Sequence, residues 1–210
     1  VADVDDVSSI ARIRGTIGPK IDIRIDANEA WTCENLAAKL RPLEPFGISA
    51  IEQPVPHAES DGLAQVRKQI SVPIMLDESL CSEPDARRAI ELGTCDLFNI
   101  RISKCGGFLK SLRLAAIAHQ AGLSYQLGCQ VGETGILSAA GRHFATSVDG
   151  IRYLEGSYEK FLVRERLTVE DLTFGRAGFA PPLTQPGLGI TIDEAALRRV
   201  TIAEESFPLS

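Results

Sequence analysis

Three acidic residues recur at the ends of short apolar runs. Asp26, Glu52 and Asp77 stand in the contexts IDIRIDAN, ISAIEQP and VPIMLDES, and they are 26 and 25 residues apart. That spacing is the length of one strand plus one helix. In a parallel βα array the carboxyl ends of the strands meet at one edge, so we expect the three carboxylates to lie together.

Carboxylates gathered in this way repel one another unless a cation joins them. Their hard oxygen atoms suit Mg²⁺ or Mn²⁺ rather than zinc. An acidic residue after a strand is also often a loop residue or the N-cap of the next helix. The repetition favours the shared metal site, with Asp26, Glu52 and Asp77 as the ligands.

Composition excludes several classes of function. The chain has 210 residues, 44% of them hydrophobic, and a formal net charge of −6. Lys and Arg are scattered, so there is no basic stripe for nucleic acid or an anionic membrane surface. No apolar run approaches the roughly 20 residues of a membrane span, and VADVDDV does not resemble a targeting signal. We therefore expect a cytoplasmic protein that binds neither nucleic acid nor a membrane.

Cysteine and histidine give no metal-binding pattern. The five cysteines are odd in number and form no CxxC pair, which argues against a disulfide framework and a zinc cluster. His119 and His143 lie in helical patterns. His57 follows IEQPVP in a strand-end loop, and it is the histidine placed to contact a substrate.

The hydrophobic period predicts strands alternating with helices. The predicted strands are 20–26, 47–52, 73–77, 96–102, 123–129 and 151–155. The predicted helices are 7–17, 31–42, 60–70, 83–92, 107–121 and 134–147. This order is typical of a parallel α/β sheet. We predict a partial barrel over 1–160 and a Pro/Gly-rich arm over 161–210 with a short terminal helix in TIDEAALRRV.

Side-chain alternation predicts which residues face the interior. In the first strand Asp26 and Asn28 share a face. In LFNIRISKCGG, Arg101 shares a face with Asn99 and Ser103, which places Lys104 at the rim or outside. A buried guanidinium needs carboxylate partners, which the acidic edge or an anionic substrate supplies. The alternative is an ion pair that only closes the barrel. Another alternative concerns the glycines of KCGG and LGCQVGETG, which could bind a phosphate at the N-terminus of the following helix.

Taken in order, these motifs resemble the barrel domain of the enolase superfamily. The match covers RIDANEAW, IEQPV, LDESL, KCGG, QLGCQVGETGILSAAGRHFA and QPGLGITIDEAAL. The branch it resembles is the muconate-lactonizing one, which includes muconate cycloisomerases, o-succinylbenzoate synthases and dipeptide or N-acylamino acid racemases. The resemblance implies a (β/α)8-type TIM barrel, represented here from after its second strand to a C-terminal arm.

The resemblance also implies that Asp26, Glu52 and Asp77 bind an essential Mg²⁺. This ion would hold a substrate carboxylate and stabilise the enediolate formed when the α-proton is removed. The candidate catalytic residues are Arg101, Asn28 and Glu133. Barrels of this family commonly assemble, so a homo-oligomer is compatible with the resemblance, and the sequence leaves the oligomeric state open.

Two departures from the family pattern bear on mechanism. The family's Lys-x-Lys pair on the second strand belongs upstream of residue 1, so the 210 residues alone are expected to be inactive. The family's lysine on the sixth strand falls on Arg101, and an arginine is a poor base near neutral pH.

These departures favour a one-base cycloisomerase, dehydratase or o-succinylbenzoate synthase-like reaction over two-base racemisation. YLEGSYE carries no Asp-x-Asp, which disfavours a dipeptide epimerase. The alternatives are a metal- and carboxylate-binding homologue with impaired catalysis, and an unrelated phosphate-binding barrel that would leave the three acids without a function.

Overall fold

Six strands follow one another in a single sheet. The structure, a computed structural model, describes residues 5–207. The strands are β1 (Ile23–Asp26), β2 (Ile48–Glu52), β3 (Ile74–Leu76), β4 (Leu97–Ile100), β5 (Ser124–Leu127) and β6 (Ile151–Leu154). Their order in the sheet is their order in the chain, and β1 to β5 pair in parallel. The predicted α/β barrel fold and the position of every strand are confirmed.

Eight α-helices accompany these strands within residues 5–207. They are α1 (Asp6–Ile17), α2 (Leu36–Leu40), α3 (Leu63–Val66), α4 (Glu83–Leu92), α5 (Phe108–Gln120), α6 (Gly135–Ser147), α7 (Glu159–Leu162) and α8 (Glu194–Val200). Short 3₁₀ turns lie at Glu44–Phe46, His57–Gly62, Arg67–Gln69 and Arg176–Gly178. None of these helices is long and apolar enough to cross a membrane.

Two helices are shorter than the sequence predicts. The helix expected at 31–42 is α-helical only over α2, because the segment before it is bonded to the end of β2: Glu29 N–H donates to Gln53 O and Trp31 N–H donates to Pro54 O. These hydrogen bonds tie residues 29–31 to the neighbouring strand end, and the chain becomes α-helical only from Leu36. The helix expected at 60–70 is α-helical only over α3, with a 3₁₀ turn on each side.

The described chain forms two compact units. The first runs to Leu127 and includes Gly150–Tyr153; the second comprises Gly128–Asp149 and the residues from Leu154 onward. The units interleave along the chain, and the predicted division into 1–160 and 161–210 stays a prediction.

The first unit buries apolar side chains on both faces of its sheet. Ile25, Ile51 and Ile74 are at most 3% exposed. On the opposite face Ala50, Met75 and Leu97 form a buried cluster, with Tyr153 packed against it. Parallel strands covered on both faces are typical of barrels. This inner cluster is the apolar floor beneath the strand ends.

In the second unit, the start of α6 packs closely on the segments that follow β6. Gly135 lies against Thr168 and Glu159, leaving no room for a Cβ atom there. From the same helix, Arg142 Nη2 donates to Leu172 O at 2.7 Å, and His143 Nε2 lies 3.0 Å from Leu188 O. Because these contacts join distant parts of the chain, they fix the course of its C-terminal segments.

Candidate metal centre and active site

A layer of polar side chains lies directly beyond the apolar floor, at the next inward-facing position of the strands. Strand alternation places Asp26, Glu52, Asn99 and Gln126 on the face that carries Ala50 and Leu97. Asp26 pairs in register with Glu52, and Asn99 pairs with Gln126. Since the strands are parallel, the layer stands at their carboxyl ends, where barrel enzymes hold their catalytic groups.

Glu52 is buried at the centre of this layer, with 6% of its surface exposed. Asn99 Nδ2 donates to Glu52 Oε1 at 2.5 Å, and Gln126 Nε2 lies 3.4 Å from Glu52 Oε2. Arg101 Nη2 is 3.6 Å from Glu52 Oε1. Two amides and a guanidinium therefore contact the carboxylate and orient it.

Asp77 is more deeply buried, with only 1% of its surface exposed. Arg101 forms a close ion pair with Asp77 Oδ2. Lys104 Nζ lies 2.6 Å from Asp77 Oδ1 and 2.5 Å from Asp77 O. A buried carboxylate of this kind requires charged partners, and this one has two.

The prediction that Arg101 faces the interior is confirmed, but the prediction that Lys104 lies at the rim or outside is wrong. The Lys104 side chain is only 10% exposed, and its Nζ also donates to Asn99 O at 3.1 Å. The strand ends at Ile100, and a turn closes where Cys105 N–H donates to Arg101 O at 2.8 Å. This turn brings Lys104 back over the strand end, so strand alternation does not apply to it.

Asp26 stands on the neighbouring strand end and is exposed to solvent. Desolvation raises the pKa of its carboxyl, and the negative charge of Asp77 raises it further, while the Asn28 backbone N–H and Arg101 lower it. The negative charge of Asp77 therefore acts on the Asp26 carboxyl of a neighbouring strand end.

Asn28 does not continue the strand. Its φ is +45° and that of Glu29 is +64°, so the chain turns through two left-handed residues immediately after Ala27. Asn28 is exposed, and its backbone N–H donates to Asp26 Oδ1 at 2.7 Å. The structure thus joins Asn28 to Asp26 through its backbone, and a catalytic role for its side chain stays a prediction.

Glu133 belongs to the second unit, where its Oε1 accepts a hydrogen bond from Gln130 N–H at 2.8 Å. Its predicted catalytic role stays a prediction. His57, the histidine expected near substrate, has its Nδ1 3.3 Å from Glu29 Oε1. It lines a cavity of about 560 Å³ together with Glu78 and Ser79.

The charges at the strand ends fit a hard divalent cation. Glu78 follows Asp77, and burial together with the negative charge of Asp77 raises its pKa. When ionised, the four acids carry two more charges than the cations of Arg101 and Lys104 neutralise. Carboxylate oxygens are the donors that Mg²⁺ prefers. Over residues 5–207 the structure has no group of three His, Cys, Asp or Glu side chains placed to hold a metal ion, so the ligand set stays a prediction.

Two buried residues at these strand ends escaped the sequence analysis. Gln53 is fully buried with a φ of +29°, and Gln126 is fully buried beside Glu52. An unbroken alternation in SYQL already placed Gln126 on the inner face of β5, which is the signal that could have identified it. Gln53 had no such signal, because its backbone has left the strand.

Residues 3–196 match the family described as Enolase C-terminal domain-like. The chain belongs to that family. The resemblance inferred from the motifs is confirmed.

Relatives of this enolase-like chain include several isomerases. The N-succinyl-L-Arg/Lys racemase of Bacillus cereus is 34% identical over 203 residues, which are 96% of this chain and 53% of the relative. Muconate cycloisomerase 1 of Acinetobacter baylyi is 29% identical over 195 residues, covering 93% of this chain and 52% of the relative. The enolase-like chain therefore spans about half the length of these curated relatives.

A solved structure matches over the same span. The dipeptide epimerase of Cytophaga hutchinsonii, complexed with Mg and the dipeptide D-Ala-L-Val, superposes with a TM-score of 0.86 at 30% identity. The match covers 92% of this chain and 52% of that one. The likeness confirms the barrel fold.

Proposed function

We propose that this chain is the metal-binding part of an isomerase or lyase that removes the α-proton of a small carboxylate substrate. The observation that carries the proposal is the pair of buried carboxylates, Glu52 and Asp77, at adjacent parallel strand ends beside Arg101. The names of the relatives, a racemase and a cycloisomerase, support this class of reaction.

Asp26, Glu52 and Asp77 would hold Mg²⁺, with Mn²⁺ as a substitute. When bound, the ion would hold the substrate carboxylate and stabilise the negative charge that develops as the α-proton leaves. Asn99 and Gln126 orient Glu52 through its two oxygens. Lys104 fixes both the carboxylate and the carbonyl oxygen of Asp77.

Arg101 supplies positive charge rather than proton transfer. Its guanidinium stays protonated near neutral pH, and it already bridges Glu52 and Asp77. Lys104 Nζ is already bound to Asp77 and Asn99 O, so we place the proton acceptor at a base outside this layer, and one base suffices for cycloisomerisation or β-elimination. Two-base racemisation would need a second base on the Arg101 side.

Two measurements test the proposal. Titration calorimetry should detect Mg²⁺ binding to the purified protein. In D₂O with Mg²⁺, the full-length protein should exchange the α-proton of at least one member of a panel of small carboxylates, and a chelator should abolish the exchange. Absence of Mg²⁺ binding, or exchange that persists with the chelator, contradicts the proposal.

A further inference from the structure

We infer that Gln53 is a positioning residue that sets the separation between the strand ends carrying Glu52 and Asp77. This inference rests on the proposed function, because it concerns the residues that would bind the metal ion. Gln53 follows Glu52 directly and is fully buried. It is neither a candidate ligand nor a candidate base.

Every hydrogen-bonding position of the Gln53 side chain is used. Its Nε2 donates to Val55 O and to Ser79 Oγ, both at 2.8 Å. Its Oε1 accepts from Asp77 N–H at 2.8 Å and from Ser79 N–H at 3.2 Å. A primary amide has two donor hydrogens and two acceptor lone pairs, so this set is complete.

The backbone of Gln53 joins the neighbouring strands as well. Its N–H donates to Met75 O at 2.9 Å, and its carbonyl accepts from Glu29 N–H at 2.8 Å. Its φ of +29° is one that side-chain-bearing residues rarely adopt. Such a conformation persists only where surrounding contacts hold it, and these positions cluster at functional sites.

These contacts locate Asp77 relative to Glu52. The β3 strand ends at Leu76, so Asp77 is no longer held by the ladder. Its N–H is bound by Gln53, while its carbonyl and Oδ1 are bound by Lys104. The amide of Gln53 thus extends the β2–β3 pairing by one residue, up to the two carboxylates.

The decisive variant is Gln53→Met, which has a similar length and removes all four side-chain hydrogen bonds. We expect its Mg²⁺ affinity, measured by calorimetry, to fall roughly 10- to 100-fold, as is usual when a group supporting a metal ligand is removed. Amide hydrogen exchange at Asp77 N–H should become faster. Mg²⁺ affinity separates positioning from stability, because a purely structural role would leave the affinity of the folded protein unchanged.

Asp96→Asn is the matched control. Asp96 Oδ2 accepts from Ile74 N–H at 2.9 Å, a side-chain contact to the opposite end of the same strand. This variant should lower the melting temperature through its lost ion pair with Arg67, and it should leave Mg²⁺ affinity unchanged. An unchanged affinity in Gln53→Met, or an equal loss in Asp96→Asn, overturns the inference.

Ser79→Ala decides the matter if Gln53→Met does not fold. It removes one acceptor of the Gln53 amide and should weaken Mg²⁺ binding by a smaller factor; unchanged binding then overturns the inference. Failure of the proposed function looks different, because the unaltered protein would bind no Mg²⁺. If the unaltered protein binds no Mg²⁺ but amide exchange at Asp77 N–H is faster in Gln53→Met, Gln53 only holds the backbone of Asp77 in place. The inference that it positions metal ligands is then overturned.

Discussion

At the scale of single residues, the central feature is how buried charges are shared. Asp77 forms ion pairs with both Arg101 and Lys104. Glu52 accepts hydrogen bonds from two side-chain amides and lies beside the same guanidinium. Asp26 is the acid on these strand ends with the most solvent contact. The three acids therefore start from different environments, although the sequence presents them as equivalent.

Asp26→Asn should weaken Mg²⁺ binding by roughly tenfold or more, because a neutral amide replaces a ligand charge; removing even a supporting group costs about this much. Titration calorimetry measures the effect. Asp22→Asn is the control, since Asp22 is an exposed acid that precedes the same strand. Equal affinity in the Asp26 variant and the unaltered protein would remove Asp26 from the ligand set.

Arg101→Lys should preserve positive charge beside Asp77 and supply a side chain that can lose its proton. In the full-length protein we expect this variant to exchange the α-proton for deuterium on a second face of the substrate. Where the new lysine acts as a general base, the exchange rate should exceed that of the unaltered protein by about 100-fold or more. Mass spectrometry and NMR of the recovered substrate measure it. Arg24→Lys, an arginine that packs 4.4 Å over the Tyr153 ring, is the control.

Loss of all exchange in Arg101→Lys would give the opposite conclusion. It would mean that the guanidinium itself is indispensable, and the assignment of the base to another part of the protein would need revision.

At the scale of elements, the ends of strands and helices are set by backbone conformation. The helix α4 ends at Gly93, whose φ is +68° and whose N–H closes the helix on Ala89 O and Ile90 O. The conformation, rather than lack of space, requires glycine there, since a Cβ atom would meet only Arg67 Nη1 at 3.7 Å.

Gly93→Ala should lower the free energy of unfolding by about 1 to 2 kcal/mol, the cost of a left-handed conformation for a residue with a Cβ atom. Gly15→Ala is the matched change. Gly15 lies within α1, and a Cβ atom added there would have no neighbour within 4 Å, so alanine should raise the free energy of unfolding by roughly 0.5 to 1 kcal/mol. Urea unfolding measures both, and shifts of the same sign would contradict the argument.

At the scale of the whole molecule, buried thiols link stability to pH. Burial raises the pKa of Cys95 to about 12 and also raises the pKa of Cys105; partial desolvation raises the pKa values of the less buried Cys33 and Cys81. In the unfolded chain these thiols ionise near their ordinary pKa of about 8.5. Their contribution to stability is therefore fully present below that pH and is lost as pH rises.

We expect the free energy of unfolding to fall between pH 9 and 12, with Cys95 contributing a slope of at most about 1.4 kcal/mol per pH unit. Cys95→Ala should flatten this slope, measured by urea unfolding across the alkaline range. Cys81→Ala, which removes an exposed thiol, should change the slope less. An unaltered slope in Cys95→Ala would mean that the thiol ionises equally in both states.

The alternation of strands and helices was determined by the sequence alone. Helix α4 was predicted with the bounds that the structure gives it, because hydrophobic period and breakers such as Gly93 act over a few neighbouring residues. The placement of Asp26, Glu52 and Asp77 at the carboxyl ends of neighbouring strands followed from the same local spacing, since parallel strands have their carboxyl ends at one edge.

Tertiary structure decided what happens once the strands end. Lys104 returns to Asp77 because of a turn, Asn28 leaves the strand through a left-handed residue, and Gln53 binds a backbone 24 residues away. None of these follows from side-chain period, because beyond the last ladder pair the backbone direction is set by hydrogen bonds between distant segments. The sequence determined which strand ends carry acids, and the folded chain decided which side chains hold them in place.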